Sequence, residues 1–112
     1  MKRGEIYFAD LSPTIGSEIN KRRPVLIVSN DANNRASSTI TVLPLTSNTE
    51  HVYPFEVKLT AKMSGLPKNS KAMAQQIRTI AKTRLADDRA GQIGNEVMKE
   101  VELAIKLHLG LK

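Results

Sequence analysis

The chain has 112 residues, enough for one hydrophobic core and too few for two independent ones. Its 17 Lys+Arg against 11 Asp+Glu give a formal charge of +6, which suits a polyanionic partner such as nucleic acid but is equally met in a surface charged only for solubility. The lack of any cysteine excludes disulfides, thiol nucleophiles and thiolate metal sites together, and with no bilayer-length apolar run and no cleavable leader in "MKRGEIYFADL" a cytoplasmic protein without a membrane anchor is expected.

The first predicted element is a strand over "GEIYFADL", Gly4 to Leu11, closed by a loop at "SPTIGS" with Pro13 and Gly16. "PVLIVS", Pro24 to Ser29, is a continuous branched-apolar run that reads as a central strand buried on both faces. Pro24 is tolerated there as the residue that opens the strand. The cations Lys21, Arg22 and Arg23 then stand at its entrance. "NDANNRASS" predicts a loop or a single helical turn, and "TITVLPLTSN" a third strand in which Pro44 marks a bulge or an edge and Thr46 lies at the far end.

"HVYPFEVKL" predicts a short strand and "GLPKNS" a turn. "KAMAQQIRTI" suits either period, and its place among strands favours a strand. The last segment predicts a helix capped by Asn95, with Val97, Met98, Val101, Ala104, Ile105 and His108 on one face. Glu102 and Lys106 would pair on the other side, and Gly110 would act as a stop. Residues 1–112 are therefore expected to form a single, mainly β, small antiparallel barrel-like domain with short helices and a C-terminal α-helix.

Metal and triad chemistry find little support. His51 and His108 are isolated, with no ligand spacing and no nucleophile-elbow serine, so neither a metal site nor a cofactor is expected. Asp87 and Asp88 flank arginines and read as a solvated turn. What remains is "PTIGSEINKRRP" with "LPLTSN", where Ser17, Glu18, Arg23 and Thr46 offer groups that can meet around a phosphate. A guanidinium fork binds phosphate through parallel hydrogen bonds and a threonine hydroxyl adds another. RNA carries its own nucleophile, the 2′-hydroxyl, so such a pair could stabilise the charge gathering on the non-bridging oxygens during cleavage. The bland alternatives are a salt bridge at a strand entrance for Arg23 and a backbone cap for Thr46.

These same segments, "DLSPTIGSEINKRRPVLIVSND", "LPLTSN", "YPFEVKL" and "QQIRTIAKTRL", resemble the MazF/PemK-type toxin endoribonucleases over nearly the whole chain. The resemblance implies an SH3-like barrel, a homodimer, and metal-independent, sequence-selective cleavage of single-stranded RNA to a 2′,3′-cyclic phosphate and a 5′-hydroxyl. It also implies inhibition by a cognate MazE-type antitoxin with an acidic, disordered tail. By motif, Arg23 matches the family's catalytic arginine and Thr46 its catalytic hydroxyl residue. Ser17 and Glu18 fall in the loop that closes over RNA, Lys21 and Arg22 attract the flanking backbone, Asn30 follows the second strand, and Gln76 and Arg78 line the groove. Many relatives carry Asp or Glu where this chain has Gln75, and some have His where Ser17 stands. An amide cannot take up a proton as a carboxylate base would. Two other classes stay open from sequence: a toxin of this fold that acts on a protein such as gyrase, and a non-enzymatic RNA-binding barrel.

Overall fold

The computed structural model describes residues 1–19 and 21–112. Its strands are β1 (Glu5–Asp10), β2 (Arg22–Ile27), β3 (Thr39–Thr46), β4 (Glu56–Leu59), β5 (Ser70–Met73), β6 (Arg78–Ala81) and β7 (Gly91–Gln92). Its helices are α1 (Asp31–Ala36), α2 (Ala61–Ser64) and α3 (Asn95–Leu109). The strands run β4-β5-β3-β2-β1-β7 with β6 also on β3, every pairing antiparallel, in one curled, barrel-like sheet.

β2 is central, as its branched-apolar run requires. Leu26 enters one hydrophobic cluster with Ile6, Leu43, Leu45 and Val101, while Val25 and Ile27 enter another with Tyr7, Ile40, Val42 and Ile80. All three β2 side chains are fully buried, each worth about 1.5–3 kcal/mol relative to an exposed position. α3 closes the first cluster with Met98, Val101 and Ala104 and ends at Gly110, whose φ of 69° is the left-handed conformation a glycine stop supplies.

Several local expectations need correction. Pro24 does not open β2; the strand starts at Arg22, and Pro24 is paired to Phe8 of β1 while the ladder to β3 begins only at Val25. "KAMAQQIRTI" is not one strand. β5 and β6 lie along the same edge of β3, but a 3-10 turn, Ala74–Gln76, separates them. Leu45 pairs with Ala72, so uninterrupted pairing would set Val42 against Gln75; Val42 instead pairs with Arg78, offset by the 3 residues of the turn.

Pro44 falls at this interruption, and the reason is legible in the backbone. The Thr41 carbonyl accepts from Val28 N and Ser29 N, so Thr41, Leu43 and Leu45 direct their backbone groups at β2 and Pro44 directs its nitrogen at the other edge. That edge has no ladder between Val42 and Leu45, so the missing N–H leaves nothing unsatisfied.

Asn95 is the first helical residue and Gly94 the cap, with no side-chain capping bond. Glu102 pairs with Arg3 at 2.8 Å rather than with Lys106, and His108 is exposed, its ring tilted against Phe55. The strand expected over "HVYPFEVKL" is confined to Glu56–Leu59. α2 and β7 had no counterpart in the sequence expectations. α2 is capped by Thr60, whose hydroxyl accepts from Met63 N.

Candidate active site

Where β3 parts from β2, the surface opens into a hollow of about 420 Å³. β2 contributes Arg22, Arg23 and Pro24, the end of β3 gives Leu45, Thr46 and Ser47, and the segment entering β5 gives Leu66, Pro67, Lys68 and Ser70. Phe8 of β1 completes the wall.

The convergence of Arg23 and Thr46 follows from register. Val25 faces Pro44 in the last β2–β3 pair, and carrying that register onward sets Arg23 opposite Thr46 on the same face. Beyond Pro44, β3 takes β5 as its partner, with Thr46 facing Lys71, and no longer pairs with β2. The Arg23 Nη1 donates to the Leu45 carbonyl at 3.4 Å, which ties the guanidinium to the strand that carries Thr46. Burial pushes the Arg23 guanidinium below its ordinary pKa, yet arginine remains cationic at neutral pH. Thr46 Oγ1 accepts from Asn48 N at 3.3 Å, and a hydroxyl that accepts there still has its own proton to donate.

Charge enters from both sides because β3 lies between β2 and β5. Arg22 stacks over the Phe8 ring, 4.7 Å from its centroid, on the β2 side. Lys68 stands on the β5 side. The hollow thus presents three cations and the hydroxyls of Thr46, Ser47 and Ser70 over a floor that includes Leu45 and Leu66. A phosphodiester, anionic with flanking apolar sugar, matches that chemistry.

The remaining sequence-predicted residues lie around the hollow or away from it. Ser17 and Glu18 are exposed in the β1–β2 loop, where the Glu18 carboxylate accepts from Ile15 N at 3.1 Å. Lys21 is exposed with a φ of 69° and donates its backbone N–H to Ser12 Oγ. Gln76 grips this loop through both ends of its amide, accepting from Ile19 N at 3.2 Å and donating to the Ser17 carbonyl at 3.4 Å. Arg78 donates to the Leu11 carbonyl at 3.3 Å. These two side chains hold the loop backbone. Asn30 lies elsewhere, capping α1 by accepting from Asn33 N and bordering a separate groove with Arg3, Thr41 and Ile77. Asn20, which opens the basic stretch, lies outside the described residues.

Behind Thr46 stands a buried polar cluster. Lys71 Nζ is 2.9 Å from Glu56 Oε1 and 2.7 Å from the His51 carbonyl, and Gln75 Nε2 donates to Glu56 Oε2 at 2.6 Å. Burial pushes the Glu56 carboxyl up, but hydrogen bonds from Lys71, Gln75 and Tyr53 N together with the Lys71 charge outweigh it and hold the group below the ordinary carboxylate range. An amide at position 75 fits this setting, since a carboxylate there would confront Glu56 at hydrogen-bond distance.

Sequence reading missed Lys68, Ser47 and Ser70. "GLPKNS" carries one cation in a turn, and only the strand order, with β5 beside β3, brings it to the Arg23 hollow.

A family profile described as "PemK-like, MazF-like toxin of type II toxin-antitoxin system" matches residues 2–109. Endoribonuclease MazF9 of Mycobacterium tuberculosis is 45% identical over 116 residues, covering 99% of this chain and 98% of its own. Endoribonuclease EndoA of Bacillus subtilis is 41% identical over 112 residues, covering 99% and 96%. Among solved structures, an endoribonuclease in complex with its cognate antitoxin from a mycobacterial species superposes with a TM-score of 0.80 at 28% identity, covering 100% of this chain and 97% of that one.

Proposed function

The chain belongs to the PemK-like, MazF-like toxin family of type II toxin-antitoxin systems, and on that premise we propose that it is a metal-independent, sequence-selective endoribonuclease acting on single-stranded RNA in the cytoplasm. In this reaction the 2′-hydroxyl oxygen bonds to the adjacent phosphorus as its proton passes to water, and the bond to the 5′-oxygen breaks as that oxygen takes up a proton from water. The products are a 2′,3′-cyclic phosphate and a 5′-hydroxyl. The nucleophile belongs to the substrate, so the protein's task is to hold the phosphate in line and to stabilise the charge on its non-bridging oxygens. The Arg23 fork and the Thr46 hydroxyl do this from adjoining strands. Lys68 adds a cation from the far wall, and Lys21 and Arg22 attract the flanking phosphates.

The observation that carries this reading is the one hollow that Arg23 and Thr46 both line, wide enough for a nucleotide linkage. The Ser17 and Glu18 loop, gripped by Gln76, borders the strand entrance and offers hydrogen-bonding groups to splayed bases. The protein works as a homodimer and is inhibited by a cognate antitoxin whose acidic tail competes with RNA for the cationic surface. One assay tests the reading: purified protein and a long single-stranded RNA in EDTA, with the fragment ends mapped. Discrete cuts bearing cyclic-phosphate ends are expected, slowed about 100- to 1,000-fold by either Arg23→Ala or Thr46→Ala, the usual loss for one preorganised donor. Intact RNA that shifts on a gel would instead mean binding without chemistry, and intact, unshifted RNA a protein target.

A further inference from the structure

Backbone direction alternates along a strand, and two contacts fix its phase in β2. The Ile27 carbonyl accepts from Gly4 N at 2.9 Å on the β1 side, whereas Val28 N donates to the Thr41 carbonyl at 3.0 Å on the β3 side. Counting back from these, Arg23 and Val25 direct their backbone groups at β1, and Pro24 directs its nitrogen at β3. One step beyond the Val25–Pro44 pair, the residue opposite Pro24 is Leu45, and its backbone faces β2 in turn. Any ordinary residue at position 24 would present an N–H to the Leu45 carbonyl and lengthen the ladder. Proline has none. The ladder stops, and the oxygen it would have used accepts from the Arg23 side chain.

We propose that Pro24 is a positioning residue for Arg23: by withholding a backbone donor it reserves the Leu45 carbonyl for the guanidinium and keeps β2 and β3 apart where the phosphate enters. The same ring reinforces the extended backbone of Arg23, because the helical region is disfavoured for the residue before a proline. Both effects aim one side chain through the backbone, although the Pro24 ring also borders the hollow. The inference rests on the ribonuclease reading, in which Arg23 contacts the phosphate.

Pro24→Ala tests it, with Pro24→Val as a second variant that supplies the same N–H on a strand-favouring residue. In the folded variants the amide of residue 24 is expected to be protected from hydrogen exchange, as a ladder donor would be. The value of kcat is expected to fall about 10- to 100-fold with KM nearly unchanged, the loss that misplacement of a catalytic group by about 1 Å can bring. A purely structural role would lower the melting temperature and leave kcat of the folded fraction alone, which would overturn the proposal. So would a freely exchanging amide at position 24 with kcat reduced. Wild-type protein that leaves RNA intact overturns the nuclease reading and this inference together, whereas wild-type cutting matched by Pro24→Ala overturns this inference only.

Discussion

Lys71→Met should cost more stability than any change at the surface of the hollow. The Lys71 and Glu56 side chains are 11% and 2% exposed, and their charged atoms lie 2.9 Å apart, so each ion depends on the other for compensation out of water. Removing the cation leaves Glu56 with hydrogen bonds from Gln75 and Tyr53 N but no countercharge. An uncompensated buried partner of this kind costs about 3–5 kcal/mol. A domain of this size has only about 5–15 kcal/mol in total, and the loss corresponds to a fall in melting temperature of about 12–20 °C. Urea denaturation of Lys71→Met, Glu56→Gln and the double variant provides the measurement. The double variant should lose less than the sum of the singles, because it removes both charges and leaves an amide that Gln75 and Tyr53 N can still satisfy. A loss below about 1 kcal/mol for Lys71→Met, or strict additivity in the double variant, would refute the assignment of this pair as a coupled buried unit. Lys71 also faces Thr46 across β3 and β5, so the same substitutions should lower cleavage activity more than distance from the phosphate would suggest.

Acid should act through the same carboxylate. Glu56 is held below its ordinary value of 4.5, so its stabilising contribution is complete above that value and is lost as pH falls through the lower folded one. Glu5 behaves alike: burial raises it, and bonds from Lys2 N, Arg89 and Tyr7 overcome that rise. Stability measured against pH should therefore be flat in this respect down to about 4.5 and fall below it, and Glu56→Gln should flatten that decline. At the hollow, Lys68→Ala should raise KM for RNA several-fold and reduce the salt dependence of binding by about one phosphate contact, read from log affinity against log salt. An unchanged salt slope would place Lys68 off the RNA path.

Much of this architecture is written in local pattern. "PVLIVS" announces a two-faced strand because six residues in a row are apolar or small, and Val25, Leu26 and Ile27 do feed two separate clusters. The terminal helix shows equally plainly in Met98, Val101 and Ala104. Features that depend on a neighbour were illegible. Glu102 finds Arg3, from the other end of the chain, in place of the local Lys106, since a helical pair gains only about 0.2–0.5 kcal/mol and tertiary geometry decides. The break at Ala74–Gln76 needs the offset between two ladders on β3 to be seen, and nothing in "AMAQQI" supplies it. For the site, residue chemistry could group Arg23 and Thr46 with Ser17 and Glu18 around a phosphate, and the motif resemblance singled out the pair; the strand order brings both to one hollow. Lys68 had no such motif, and Gln76 and Arg78 prove to hold loop carbonyls and amides, which composition alone cannot distinguish from a groove lining.

The three-residue turn between β5 and β6 also constrains how this chain can change in length. Side chains on a strand alternate faces, so deleting or adding a single residue there would roll β6 over, driving Arg78 and Thr79 into each other's positions and turning Ile80 out of the interior. Shortening by an even count would preserve the faces but remove the glutamines that anchor the first loop and the buried carboxylate. Indels in this segment should therefore be poorly tolerated, because β6 inherits the error.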